Sequence, residues 1–162
     1  MYKFLNLDIS WFKAPNSSSL QYYVETIRAE PSILVHNTFS SQEDIASLNS
    51  KAIFWCFCPA ANVYIENKLP DYSLFKDATD SLCIGTDSLA SNHTLDLISE
   101  ANLILKNTRL FSIENLLQMM TSNGAKALNL QEQFGQFIPG INTGINQLQF
   151  SNNSLSFVKK IT

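Results

Sequence analysis

Residues 82–93, Leu-Cys-Ile-Gly-Thr-Asp-Ser-Leu-Ala-Ser-Asn-His, set a short apolar run directly against a glycine, an aspartate and a group of small polar residues. The run LCIG (82–85) is too short for a helix and reads as a strand buried on both faces. Upstream, AIFWCFC (52–58) reads the same way, and Pro59 ends it because proline cannot donate to a ladder. Further upstream, SILVH (32–36) is a third such run. Helices are expected between and after these strands. Ser40 and Glu43 have capping-box spacing ahead of Ile45 and Leu48. Asp71–Ala78 reads as a short helix. Over Thr94–Lys106, Leu95, Ile98, Ala101 and Leu105 form one apolar face, widened by Leu97 and Ile104. Buried strands alternating with helices imply a parallel sheet. Three units are too few for a closed eight-stranded barrel of about 250 residues. Periodicity alone therefore points to an α/β fold with an incomplete or small parallel sheet.

The flanks are plainer. Residues 3–9 (KFLNLDI) could form a strand, residues 14–19 (APNSSS) read as a loop, and Leu20–Arg28 reads as a helix with Tyr23, Val24 and Ile27 at helical spacing. Ser112 could cap a helix carrying Ile113, Leu116, Leu117 and Met120, and another begins near Asn123 and runs through Ala127. After Leu130 the texture changes: Gly135, Pro139, Gly140 and Gly144 break up the chain, residues 145–150 alternate as a half-buried strand does, and residues 156–161 read as a last strand.

Composition narrows the function classes. The chain has 162 residues, 45% hydrophobic and only 15% charged, which suits one domain with a sizeable core and excludes disorder. A formal net charge of −3 offers nothing to a phosphate backbone, so no nucleic-acid partner is expected. No basic amphipathic stretch suggests a membrane surface, and the apolar runs are too short to cross a bilayer. Residues 1–13 lack the apolar core of a signal peptide. An odd cysteine count (Cys56, Cys58, Cys83) argues against a disulfide framework and for a reducing, cytoplasmic setting.

In a parallel sheet, chemistry gathers where strands end. The first run ends at His36-Asn37, the second at Cys58-Pro59 leading to Asn62, and the third at Gly85-Thr86-Asp87-Ser88. Together these segments resemble the amidohydrolase superfamily, in its cytosine deaminase, chlorohydrolase and adenosylhomocysteine deaminase-like branch. GTDSLASN (85–92) looks like that branch's motif after barrel strand eight, CPAAN (58–62) with Leu69-Pro70 like its C-P-x-S-N after strand seven, and LVHN (34–37) like its strand-six histidine. MMTSNGAKALNL (119–130) resembles a helical stretch of the family, and FGQFIPG (134–140) the return into its small β domain.

The resemblance implies the C-terminal portion of a (β/α)8 barrel, about strands six to eight with their helices, over residues 1–133. It implies a β tail of a composite β-sandwich domain over residues 134–162. It implies a hydrolase of non-peptide C–N bonds, deaminase- or chlorohydrolase-like, using metal-activated water on a small amine-bearing heterocycle. Zinc or iron is the implied metal. Asp87 would be the metal ligand and the base that takes a proton from the water, His36 would sit beside the water or substrate, and Asn62 and Ser88 would contact substrate. The family's H-x-H pair and strand-five histidine have no counterpart here: the chain has two histidines, His36 and His93. The isolated chain is therefore expected to be inactive and to bind no zinc tightly, and its open sheet edges predict a homo-oligomer.

Plainer readings stand beside these. His36 could be a satisfied strand-end histidine, Asp87 an Asx-type turn cap, and His93 a loop residue. Cys56 and Cys58 share a sheet face and could, with Cys83 and His36, suggest structural zinc, but buried cysteine is commonly a small hydrophobe. A non-catalytic α/β oligomerisation or interaction module derived from the same fold is the alternative function.

Overall fold

The three apolar runs pair with one another. Strands β1 (Ser32–Val35), β2 (Ile53–Phe57) and β3 (Leu82–Ile84) form a parallel sheet in the order β1-β2-β3, with Leu34 beside Trp55 and Cys56 beside Cys83. The computed structural model describes residues 4–24, 27, 31–48, 52–141 and 143–161. Among the described residues the strands are accompanied by the helices α1 (Ser19–Tyr23), α2 (Gln42–Ala46), α3 (Pro59–Glu66), α4 (Leu97–Asn107), α5 (Ile113–Met120) and α6 (Ser122–Ala127). Strands β4 (Asn146–Ser151) and β5 (Ser154–Lys160) form a separate antiparallel hairpin.

Alternation along β2 decides which face is core. Ile53, Trp55 and Phe57 are buried while Phe54 and Cys56 on the other face are half-buried. Trp55 and Phe57 meet Phe75 edge-to-face, at centroid distances of 5.3 and 5.2 Å, and Phe57 also meets Tyr72. Ala101 and Ile104 of α4 and Leu116 and Met119 of α5 close the cluster at zero exposure. Of the apolar stripe expected over Thr94–Lys106, Ala101, Ile104 and Leu105 are buried in this core and Leu97 and Ile98 pack against it, while Leu95 precedes the helix and is exposed.

The two edges of the parallel sheet differ. At β3, Asn123 of α6 is buried and its side-chain amide donates to Thr79 O and Leu82 O, both at 2.8 Å. At β1, alternate backbone groups face outward, and Val35 is 48% exposed. The hairpin turns at Asn152 and Asn153, both left-handed (φ 50° and 59°), as a two-residue type I′ turn requires. It docks through Leu155, which is buried and whose N–H and C=O both bond the Asn102 side chain at 2.8 Å.

Several elements differ from expectation. Residues 4–9 form no strand, since no neighbour pairs with them; Phe4 is 91% exposed. Lys3 lies outside the described residues, as does Arg28, the expected end of the first helix; among the described residues that helix is α1 followed by one tighter turn at Val24. The capping box of α2 is one residue later than expected: Ser41 and Asp44 exchange bonds of 3.2 and 2.8 Å. The segment 71–78 forms a 3-10 turn over Tyr72–Phe75. Helix α3 was not foreseen: Pro59 ends β2 and also occupies the first helical turn, where its missing N–H costs nothing.

Candidate active site

A parallel sheet delivers all its C-terminal ends to one edge, so the residues after β1, β2 and β3 converge. His36 N–H extends the ladder to Cys56 O at 2.9 Å, and the chain then turns through two left-handed residues, His36 (φ 73°) and Asn37 (φ 56°). Such a pair costs roughly 1–2 kcal/mol per residue. The Asn37 side chain offsets part of this by donating to Leu34 O at 2.9 Å.

Asn62 comes from the first turns of α3 and is buried at 2% exposure. Its Nδ2 donates to His36 O at 3.2 Å, which leaves Oδ1 facing His36 Nδ1 at 2.8 Å. Oδ1 can only accept, so Nδ1 carries the proton in the neutral ring and Nε2 is left as the free lone pair. That nitrogen lies 3.9 Å from Asp87 Oδ2, beyond hydrogen-bond reach but close enough for one small group to touch both. The two side chains are 40% and 31% exposed, so the gap is open to solvent.

Asp87 is also left-handed (φ 57°). Gly85 makes the approach possible: a Cβ there would sit 3.0 Å from Cys56 Sγ and 3.3 Å from Cys58 Sγ. Ser91 Oγ donates to Asp87 Oδ2 at 2.6 Å, and chiefly this bond, helped by the Ser88 backbone, holds the carboxyl below its usual range. Asp87 is therefore a carboxylate at neutral pH, able to accept a proton. Ser88 is exposed, and its hydroxyl accepts from Ala90 N–H at 3.3 Å within the same loop.

His36, Asn62 and Asp87 are thus brought together, with Ser88 beside them on the loop. His93 stands apart, its ring edge-on to Tyr64 at 5.8 Å. A pocket of about 580 Å³ runs along β1 from His36 and Asn62 past Ile33 to Leu20 and Tyr23, within the range of small-molecule sites, though Asp87 does not line it.

Two residues escaped the sequence reading: Ser91, which lowers Asp87, and Glu100. Glu100 of α4 is 1% exposed, and its carboxylate accepts from Ala60 N–H at 2.8 Å and from the Asn92 amide at 2.6 Å. Its signal was present, a charged residue between Leu97 and Ile104 on the core-facing side of a helical pattern.

Zinc and iron centres of this kind need about three protein donors and an open position. Among the described residues no three His, Cys, Asp or Glu side chains are grouped to hold a metal ion. His36 and Asp87 supply two; of the thiols, Cys56 and Cys83 sit in the sheet and Cys58 at the start of α3, and against a lowering bond to Cys58, neighbouring Cys83 and burial leave Cys56 raised to about 12. The residues present do not by themselves fit a metal centre.

The profile of the Amidohydrolase family matches residues 13–142. A 5-methylthioadenosine/S-adenosylhomocysteine deaminase of Teredinibacter turnerae is 32% identical over 114 residues, 65% of this chain and 26% of that protein. An adenosine deaminase of Helicobacter pylori is 32% identical over 113 residues, 67% of this chain and 28% of that protein. Among solved structures, Helicobacter pylori aminofutalosine deaminase superposes with a TM-score of 0.67 at 26% identity, over 83% of this chain and 34% of its own. An adenosine deaminase from Xanthomonas campestris with bound zinc superposes with a TM-score of 0.62 at 25% identity, over 70% and 28%. The chain spans about a quarter of the length of the curated relatives it matches.

Proposed function

Because this chain belongs to the amidohydrolase family, we propose that it is part of a hydrolytic deaminase acting on an amine-bearing heterocycle, adenosine-like in the manner its relatives' names indicate. The observation that carries the reading is the convergence of His36, Asn62 and Asp87 from three successive strand ends. In this reading Asp87, ionised at neutral pH, takes a proton from the attacking water. The oxygen bonds to the ring carbon, the C–N bond breaks, and the proton passes to the departing ammonia. His36, its Nδ1 proton engaged by Asn62, presents Nε2 to the same water or to the substrate. Asn62 acts through His36, and Ser88 lies on the substrate side of the Asp87 loop.

The architecture is read accordingly. Residues 1–133 are the segment of a (β/α)8 barrel bearing its last three strands, and residues 134–162 are the tail of a composite β-sandwich. Any zinc or iron donors beyond Asp87 belong to sequence outside these 162 residues, and the isolated chain is inactive. Its β1 edge, open among the described residues, favours self-association over a monomer.

Two measurements test this. The purified chain is incubated with adenosine, 5-methylthioadenosine and S-adenosylhomocysteine while ammonia, bound metal and particle mass are followed. We expect no ammonia, well under one metal per chain, and a dimer or larger assembly by light scattering. Stoichiometric zinc with turnover overturns the partial-site reading, and a monodisperse monomer overturns the association. The source gene is then read upstream: a frame continuing through an H-x-H motif is expected, and its absence favours the non-catalytic module instead.

A further inference from the structure

Resting on the reading above for the identity of the site, we propose that Glu100 is a positioning residue that sets the Asp87 loop against the His36–Asn62 pair. The argument begins at the start of α3. Pro59 has no N–H to offer, and the N-cap, Cys58, supplies no side-chain acceptor. The next donor, Ala60 N–H, would be left without an acceptor in the helix. Glu100 Oε2 takes it at 2.8 Å, reaching from a helix forty residues away. A carboxylate at a helix N-terminus is also where the helix dipole favours negative charge. This anchors the first turn of α3, which carries Asn62 two residues on.

The other oxygen, Oε1, accepts from Asn92 Nδ2 at 2.6 Å. The same amide nitrogen donates its second hydrogen to Thr86 O at 2.8 Å, the carbonyl directly before Asp87. One carboxylate therefore ties the loop after β2 to the loop after β3. Asn62 in turn grips His36 through both of its polar atoms. The 3.9 Å approach of His36 to Asp87 is spanned by hydrogen bonds centred on Glu100 and joined by two short stretches of backbone, Ala60 to Asn62 and Thr86 to Asp87. Burial raises the Glu100 carboxyl, and the bonds to Ala60 and Asn92 pull the other way. Each of its two oxygens meets one donor, so the buried side chain is held at both ends by a specific contact.

The test is made by nuclear magnetic resonance on the 162-residue chain. In the unmodified chain, a through-hydrogen-bond coupling from Ala60 N–H to the Glu100 carboxyl carbon is expected, and its absence overturns the proposal. Glu100→Gln keeps the shape but sets an N–H₂ group against one of two donors. Expected are an Ala60 amide exchange rate about tenfold or more faster, the factor carried by one charge-assisted hydrogen bond, and loss of the cross-peak between the His36 ring and the Asp87 methylene. A variant that is less stable yet keeps that cross-peak, with exchange within about twofold, reduces Glu100 to a packing residue. Asn92→Ala cuts the same connection from the other side and decides the matter if Glu100→Gln does not fold. These readouts report geometry and no turnover, so they fail or succeed independently of the deaminase reading.

Discussion

Replacing Asn62 by alanine should change which nitrogen of His36 carries the proton. In the native chain Asn62 Oδ1 accepts from Nδ1 at 2.8 Å while its amide is committed to His36 O at 3.2 Å. The tautomer is therefore held by one neutral hydrogen bond, worth about 1 kcal/mol net, or about a fivefold population ratio. With the His36 side chain 40% exposed, water replaces the lost partner at either nitrogen and the preference collapses. The assay is a long-range ¹⁵N–¹H correlation in mildly alkaline buffer. The chain has two histidines, so His93→Gln assigns the spectrum. The native His36 should show the Nδ1–H pattern, Asn62→Ala about a fivefold shift toward Nε2–H, and Asn62→Asp, which still accepts, the native pattern. A native ring protonated mainly at Nε2, or an alanine variant with an unchanged ratio, refutes the assignment and removes the free lone pair from the Asp87 side.

Ser91→Ala should raise the Asp87 carboxyl toward its usual 3.8, because the Ser91 hydroxyl is the largest cause of its depression. A depressed folded value contributes stability above 3.8 that is lost as pH falls through the folded value, so the variant should lose that contribution; ¹³C carboxyl titration checks it, and an unmoved midpoint is the contrary result. Asn123→Ala should leave Leu82 O without its side-chain donor, while Thr79 O keeps the Leu82 N–H. At about 1–3 kcal/mol for a buried group left unpaired, a loss of that size is expected in urea unfolding. A change below about 0.5 kcal/mol would place Asn123 with ordinary surface positions.

What could be read from the sequence follows from which forces are local. The strands β2 and β3 were legible because AIFWCFC and LCIG are continuous apolar runs, and β3 is buried along its length; SILVH marked β1 as a strand too, but as an edge strand β1 is only half-buried and its Val35 is exposed, not buried on both faces. The convergence of His36, Asn62 and Asp87 was legible because parallel strands place their ends on one edge. Helix α3 was missed because Pro59 was read only as a strand stop, although the same ring suits a helix's first turn. The capping box slipped by one because Ser40-Ser41 and Glu43-Asp44 offer two equivalent spacings, and only the packed helix chooses Ser41 with Asp44. Helix α4 begins at Leu97 and not at Thr94, since the Asp96 side chain accepts from Ile98 N–H at 2.9 Å and caps it there.

The connection through Glu100 was harder for a different reason. Its partners lie forty and eight residues away, and nothing in the local pattern names them. What a sequence can show is the anomaly: Leu97, Ala101 and Ile104 face the core, and Glu100 stands among them. A buried carboxylate costs several kcal/mol unless donors meet it, so its presence there requires donors, and the unpaired N–H at the start of α3 is one. The same logic explains Asn123, a polar residue buried beside β3 whose amide donates to both Thr79 O and Leu82 O. Among the described residues β1 and β3 are both edge strands of the parallel sheet, so a second copy or further sequence has two edges to cover, and at β1 it meets the pocket that reaches His36.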